Sequence, residues 1–248
     1  MNADFTERDK AILIGLYFSK FDKEGLQFLG FDRFQEAYNI LGFSLGIKPN
    51  SLKNYRDEFD PAFPNNRLGR RNRPMRAYCK KILEKYSHLD LITFSRLIKN
   101  FFSRDFEIEE IIEKSERTGY SESIAKRLAT GKAAEEYFKK NFESINDFRS
   151  FKIKDTTNYG CGFDFKLSNE TKFYCVEVKG LSEASGNILL TEKEFYMAQT
   201  YTHNFCLFVV KNFIDKPFHD YFFDPLNSRL AFSKVERPTI IVSYTSYL

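Results

Sequence analysis

Apolar side chains in the first part of the chain recur at the spacing of one helical face. Between residues 11 and 21 the pattern consists of Ile12, Leu13, Leu16, Tyr17 and Phe21, which predicts a helix there. Similar patterns predict helices over residues 34–41, 52–59, 75–86, 89–102 and 108–114. Residues 49–51 are interpreted as a turn that caps the helix at 52–59. The first part of the chain is therefore expected to be all-helical.

The periodicity changes beyond a connection predicted over residues 117–131, in which residues 123–128 are an alternative short helix. A helix is predicted over residues 132–142. A half-buried strand is expected next, in which polar residues alternate with Phe163, Phe165 and Leu167. Residues 172–179 are the predicted return strand of a hairpin.

The last part of the chain adds another helix and two more strands. Thr191 is expected to cap a helix that runs to about residue 201, with Glu194 at the capping-box position. The continuous apolar run at residues 205–210 is typical of a strand buried on both faces, and residues 239–244 are a further predicted strand. This order of helix, strands, helix and strand predicts an α/β fold with a mixed sheet flanked by helices. The predicted domain boundary lies near Thr118, which divides the chain into residues 1–117 and 118–248.

Composition agrees with an ordinary globular protein. Of the 248 residues, 42% are hydrophobic and 29% are charged, which argues against a disordered chain. The first ten residues lack an apolar signal region, and no uncharged run approaches the ~18 residues of a membrane span. We therefore expect a cytoplasmic protein with no membrane partner. The four cysteines and three histidines have no metal-ligand spacing, so reduced, mostly buried thiols are expected and zinc chemistry is not.

Basic residues cluster between residues 65 and 83, where no acidic residue occurs. The cluster consists of Arg67, Arg70, Arg71, Arg73, Arg76, Lys80 and Lys81. Arginine can fork onto a phosphate or onto the edge of guanine, and short helices joined by tight turns are typical of helix-turn-helix DNA readers. We predict DNA contacts from the five arginines and Lys80, and the alternative is a solvated loop. The net charge of +4 is weak evidence by itself.

Acidic residues and a lysine on the predicted hairpin could carry metal-dependent chemistry. Hydrolysis of a phosphodiester by a metal needs carboxylates that converge on a hard cation, and a group that orients the attacking water. Glu177 and Lys179 are two residues apart on one strand and must share a face. Asp164 can join them if the strand register brings its face to theirs. The alternative is an ordinary hairpin with charges on its wet face.

The sequence segments around these residues resemble those of a known protein family. Asp164, Glu177-Val178-Lys179 and the preceding helix at residues 131–136 resemble the core of the PD-(D/E)XK nuclease superfamily. More narrowly, three segments resemble the domain at the C-terminus of the plant NO VEIN protein and in many bacterial restriction proteins: Gly162-Phe163-Asp164-Phe165, Val176-Glu177-Val178-Lys179-Gly180 and Leu190-Thr191-Glu192-Lys193-Glu194. The resemblance covers residues 131–210. Phe163 stands where the superfamily usually has a proline.

The resemblance implies a restriction-endonuclease-like core in the order αβββαβ, preceded by a helical DNA-recognition domain. It implies that Asp164, Glu177 and the carbonyl of Val178 hold Mg²⁺ and that Lys179 acts on the water. Mn²⁺ is expected to substitute, and Ca²⁺ to bind without supporting cleavage. Glu135 is the preferred helix glutamate of the site, with Glu136 as the alternative. Gln199 corresponds to a position that contacts the site or the DNA backbone in some relatives, and its alternative is a surface amide.

These features lead to three functional hypotheses. The first is a type II restriction endonuclease or a close defence relative, a homodimer acting on double-stranded DNA and encoded beside a DNA methyltransferase. No Walker-type Gly-Lys-Ser/Thr segment is present, so no translocating ATPase is expected. The second is a repair or junction-resolving nuclease that reads DNA shape. The third is a DNA-binding regulator whose nuclease-like domain is structural.

Overall fold

The computed structural model describes residues 5–65, 67, 69, 73–102, 121–235 and 246, and only the backbone of residues 121–125. Within these ranges the α-helices are α1 (Glu7–Phe28), α2 (Phe34–Ser44), α3 (Pro49–Phe59), α4 (Ala77–Tyr86), α5 (Leu91–Asn100), α6 (Ser121–Asn141) and α7 (Glu192–Tyr201). The strands are β1 (Lys152–Asp155), β2 (Phe165–Ser168), β3 (Phe173–Gly180), β4 (Phe205–Lys211) and β5 (Phe218–Phe223). No helix in the described ranges combines the length and the apolar character needed to cross a membrane.

The helices predicted over residues 11–21, 34–41, 52–59, 75–86 and 89–102 are present, with one error at the start of α3. Helix α3 begins at Pro49 with Lys48 as its N-cap, whereas the sequence analysis interpreted residues 49–51 as a turn. Proline fits the first position of a helix because its missing N–H would have no partner there and its φ is already helical. The predicted helix at residues 108–114 lies outside the described residues, as do the strand at residues 239–244 and the boundary near Thr118.

The prediction of a connection over residues 117–131 was wrong where the structure describes it, because α6 is already helical from Ser121; the alternative of a helix over residues 123–128 was right in kind but too short. The buried face of α6 includes Ala129, Ala133, Ala134 and Phe138. Three of these four residues are alanines, whose small side chains contribute little to a helical hydrophobic pattern. The sequence therefore gives only a weak signal for this face. Helix α6 packs against α2 on one side and against β3 on the other, and this tertiary packing overrides the low local signal.

The five strands form a mixed sheet in the order β1-β2-β3-β4-β5. Strands β3 and β4 are parallel, and the other neighbours are antiparallel. Val176 and Val178 of β3 join the core cluster that contains α6, whereas Cys175 packs with Ala198 of α7 and with Phe205. The mixed α/β prediction is thus confirmed, with β4 buried as expected. Strands β1 and β5 were not predicted: β1 has only four residues, too few for its alternation to stand out, and β5 does not alternate between apolar and polar residues.

The helical half and the sheet share one hydrophobic core. The amide of Asn39 on α2 donates to the carbonyls of Phe213 (2.7 Å) and Asp215 (2.6 Å) after β4. The ring of Phe43 packs edge-on against those of Tyr137 and Phe213. These contacts dock the helical half onto α6 and onto the loop that follows β4.

Candidate active site

Asp164 lies at the point where β2 begins beside the middle of β3. Its backbone N–H donates to the carbonyl of Val176 (3.0 Å), and its side-chain Oδ2 accepts from the N–H of Val178 (2.9 Å). The sequence analysis placed Asp164 within the first strand of the hairpin, but β2 begins one residue later, at Phe165. Because Phe165 pairs with Val176, Asp164 stands opposite Glu177. The register therefore brings the two carboxylates together, as the metal hypothesis requires.

The carbonyl of Val178 faces the same edge of β3 as Asp164. The N–H and C=O of one strand residue point to the same side, and the Val178 N–H points to Asp164. The β2 ladder covers β3 only as far as Val176. The Val178 carbonyl thus lies beyond the end of the ladder, next to the Asp164 carboxylate.

Glu177 and Lys179 share a face of β3, and α7 contributes a third charged group to them. The ammonium of Lys179 lies 2.7 Å from Glu177 Oε1 and 2.7 Å from Glu194 Oε2. Glu194 belongs to the capping box that Thr191 forms at the start of α7. Gly162, at φ 86°, lets the loop before β2 approach α7, since a Cβ there would lie 2.8 Å from Met197 Cγ.

The site holds more negative than positive charge. Burial raises the pKa of Asp164 to about 7, with a further contribution from Glu135. Burial also raises the pKa of Glu177 to about 9, and the neighbouring Asp164 adds to the rise. Burial opposes the charge on Lys179, but Glu177 and Glu194 raise its pKa above the ordinary value. Such an excess of carboxylates is offset either by bound protons or by a cation.

Helix α6 brings Glu135 near the site. A Cβ at Gly180 would lie 2.8 Å from the Thr130 carbonyl and 3.2 Å from Ala134 Cβ, so glycine lets α6 approach the end of β3. The charge of Glu135, the next residue, acts on Asp164. The alternative, Glu136, is in an ion pair with Lys139. The geometry therefore favours Glu135 as the helix glutamate of the site.

The donor set fits a magnesium ion. In the part of the chain that the structure describes, no three His, Cys, Asp or Glu side chains converge closely enough to hold a metal by themselves. The predicted ligand set needs only two carboxylates, Asp164 and Glu177, because a main-chain carbonyl, that of Val178, supplies the third protein oxygen. Carboxylate and carbonyl oxygens are the donors that this hard cation prefers, with water completing its shell.

Comparison with known families points to the region that contains these residues. Residues 132–222 match the family model described as Protein NO VEIN, C-terminal. The NO VEIN match begins within α6, ends in β5 and covers less than half of the chain. It includes Glu135, Asp164, Glu177, Lys179 and Glu194. Searches among characterised proteins and among solved structures found no match.

Outside the NO VEIN match, three arginines of the predicted DNA-binding segment form ion pairs within the protein. Arg67 pairs with the fully buried Asp60 (2.8 Å) and with Asp22 (2.5 Å). Arg73 and Arg76 both contact the buried carboxylate of Glu58. These pairs fold the segment back onto the end of α3.

The other predicted DNA contacts differ in accessibility. The side chain of Lys80 is 68% exposed on α4, and Gln199 is exposed on α7. Arg70 and Arg71 lie outside the described residues. Among the described positions, Lys80 is thus less constrained than Arg67, Arg73 and Arg76 to contact a ligand.

Sequence reasoning missed the contact between Glu194 and Lys179. The capping-box pattern led to Glu194 being interpreted only as a helix cap, and the cap is indeed present. The loop between β3 and α7 separates the two residues in sequence, and no periodic pattern links them. Charge balance does not point to the pair either, because Asp164 and Glu177 already outnumber the single ammonium of Lys179.

The raised carboxylate pKa values predict how stability depends on pH. Between about pH 5 and pH 9 the folded protein binds more protons at Asp164 and Glu177 than the unfolded chain does, so the free energy of unfolding falls as pH rises. We expect thermal unfolding in EDTA to show a lower Tm at pH 9 than at pH 6, and Mg²⁺ to reduce the difference. Glu170, exposed in the hairpin turn, provides the control substitution Glu170→Gln, which should leave the slope unchanged. A metal-free Tm that rises across this range would contradict the site description.

Proposed function

We propose that the chain is a magnesium-dependent DNA endonuclease of the PD-(D/E)XK superfamily, acting as a type II restriction endonuclease or a close defence relative. The observation that carries the proposal is the adjacency of the part-buried carboxylate of Asp164 and the buried carboxylate of Glu177, with the ammonium of Lys179 on the same sheet face. The order α6-β1-β2-β3-α7-β4 follows the αβββαβ core expected of that superfamily, with β5 as an added edge strand. The NO VEIN match over the same elements supports the same reading.

The chemistry follows from the donors and from Lys179. Asp164, Glu177 and the Val178 carbonyl would hold Mg²⁺, which when bound supplies positive charge to the phosphate oxygens and lowers the pKa of water. Lys179 donates hydrogen bonds at the same face, so it can orient the attacking water and stabilise negative charge on the phosphate. Burial of these groups limits competition from bulk solvent and strengthens their electrostatic interactions.

In the same proposal, the helical part of the chain, residues 1–117, recognises the DNA. Lys80 and the arginines at positions 67, 70, 71, 73 and 76 would contact the duplex, with Gln199 near the backbone at the site. The arginines at positions 67, 73 and 76 would do so with the parts of their side chains that their internal ion pairs leave exposed. Cutting both strands with one site per chain calls for a homodimer whose twofold axis matches a palindromic sequence. A DNA methyltransferase encoded next to this gene would support the restriction role.

The proposal is tested by digestion of defined DNA. We expect the full chain with Mg²⁺ to convert plasmid DNA into discrete bands, and Ca²⁺ to support binding without cleavage. A repair or junction-resolving nuclease would instead cut branched or damaged substrates, and a DNA-binding regulator would shift the DNA without cutting it. The check is gel analysis of plasmid, branched and single-stranded substrates with Mg²⁺, Ca²⁺ or EDTA. Intact DNA under every Mg²⁺ condition would refute the proposal.

A further inference from the structure

Glu194 connects the start of α7 to the lysine of the site. Its Oε2 accepts from the backbone N–H of Thr191 (2.9 Å), which completes the capping box, and the same oxygen accepts from Lys179 Nζ (2.7 Å). The side chains of Glu194 and Lys179 are only 16% and 21% exposed. An ion pair so withdrawn from water is stronger and better fixed than one at an open surface.

The ammonium of Lys179 bridges the carboxylates of Glu177 and Glu194, which have different roles in the site. Glu177 Oε1 lies 2.7 Å from Lys179 Nζ, but Glu177 is also a ligand of the cation in the proposed function. A glutamate that ligates a cation has less charge to offer a lysine, and the cation repels the ammonium. Glu194 lies on α7 rather than on β3. It therefore keeps its contact with Lys179 when Glu177 shares its charge with a bound cation.

We propose that Glu194 is a positioning residue that holds the Lys179 ammonium in the site while Glu177 serves the cation; this inference rests on the proposed nuclease function. Glu194 acts through Lys179 and touches neither substrate nor metal. The Thr191 N–H fixes the Glu194 carboxylate in turn, so the first turn of α7 anchors the lysine. One oxygen atom, Oε2 of Glu194, thereby both caps α7 and holds the Lys179 ammonium in place.

Two substitutions separate the positioning role from the capping role. Glu194→Gln keeps a capping-box side chain, since glutamine serves at this position as glutamate does, but it removes the charge that faces Lys179. Thr191→Ala removes the hydroxyl that accepts from the Glu194 N–H (3.3 Å). It leaves the backbone N–H of residue 191 to hold the Glu194 carboxylate. Thr191→Ala is therefore the matched control for a purely structural effect.

The first measurement is steady-state cleavage of a duplex that the wild-type full chain cuts with Mg²⁺. Glu194→Gln is expected to lower kcat by about 10–100-fold, the usual loss for a partner of a metal-site residue, with KM changed by less than about twofold. Thr191→Ala is expected to keep kcat near the wild-type value and to lower Tm by about 2–4 °C. Equal kcat values for Glu194→Gln and wild type would overturn the proposal, and so would an equal loss of kcat in both variants.

The second measurement does not depend on cleavage. Ammonium protons held in two ion pairs exchange slowly with water, so a ¹H–¹⁵N spectrum of the metal-free protein should show a Lys179 ammonium signal, assigned by its loss in Lys179→Arg. The signal is expected to keep its wild-type intensity in Thr191→Ala and to lose intensity through faster exchange in Glu194→Gln, where only the ion pair with Glu177 remains. Wild-type intensity and exchange rate in Glu194→Gln would overturn the positioning role. A wild-type chain that cleaves no DNA would refute the nuclease proposal, and the spectra would still decide whether Glu194 holds Lys179.

Discussion

Glu177→Gln is expected to lower DNA cleavage by at least about 100-fold and, at the same time, to raise the Tm of the metal-free protein. The loss of activity follows because a neutral amide is a poor ligand for Mg²⁺ and removes charge stabilisation from the reaction. The gain in stability follows because burial and the neighbouring Asp164 disfavour a charged Glu177, and the amide ends that penalty. Opposite changes in activity and stability are typical of a residue kept for function.

This double readout is measured by plasmid cleavage with Mg²⁺ and by thermal unfolding in EDTA at pH 8. Glu170→Gln, on the exposed hairpin turn, is the matched control and should change neither quantity. Asp164→Ala, Glu177→Ala and Lys179→Ala are also expected to abolish cleavage while leaving DNA binding largely intact. Wild-type cleavage rates in Glu177→Gln would show that the assigned carboxylate is not part of the reaction.

Asp60→Ala is expected to destabilise the protein by roughly 3 kcal/mol, the lower end of the cost of breaking a buried ion pair, because Arg67 keeps its second partner, Asp22. The Asp60 carboxylate is fully buried and accepts from Ser19 Oγ (2.8 Å) and from Nε (3.0 Å) and Nη2 (2.8 Å) of Arg67. Its removal leaves the guanidinium without this partner in a part-buried place. Arg67→Ala should destabilise in the same direction because it leaves Asp60 as a buried charge.

Lys80→Ala provides the contrast to Asp60→Ala. The Lys80 side chain is mostly exposed, and its nearest carboxylate oxygen, on Glu84, is 4.0 Å away, so stability should stay within about 0.5 kcal/mol of wild type. If Lys80 contacts a phosphate, its loss should weaken binding to all duplexes and lower the salt slope by about 1. The checks are chemical denaturation and binding across a salt series. Asp60→Ala with wild-type stability would contradict the structural role of its ion pairs.

The sequence predicted correctly those elements that are determined by neighbouring residues, and it failed for elements that depend on contacts between distant parts of the chain. The cap formed by Thr191 and Glu194 was predicted correctly, because a capping box is contained within four consecutive residues. The buried strand β4 was also predicted, since a continuous apolar run has few alternatives. The stretch at residues 121–131 was predicted as a connection, with a short helix only as the alternative, but α6 is helical throughout it and packs against α2 and β3, which lie far away in sequence.

The candidate site shows the same division. The shared face of Glu177 and Lys179 follows from strand geometry alone, and the register that sets Asp164 opposite Glu177 was left open until the β2–β3 pairing was known. Charge clusters were harder to interpret. The arginines at positions 67, 73 and 76 suggested a DNA surface, but their carboxylate partners, Glu58 and Asp60, lie ahead of the cluster in sequence. Counting basic residues within one window omits such partners.

The position of α6 limits how this molecule could be re-engineered or recombined. Helix α6 packs one side against the sheet and the other against α2. Across the contact with α2, Lys126 forms an ion pair with Glu36 (2.7 Å) and Lys140 donates a hydrogen bond to the Gly46 carbonyl (2.6 Å). The sheet and α6, if separated from the N-terminal helices, would expose an apolar stripe of α6 to water. The helical half could therefore be replaced by that of another protein only if the replacement contains a helix whose surface is complementary to α6.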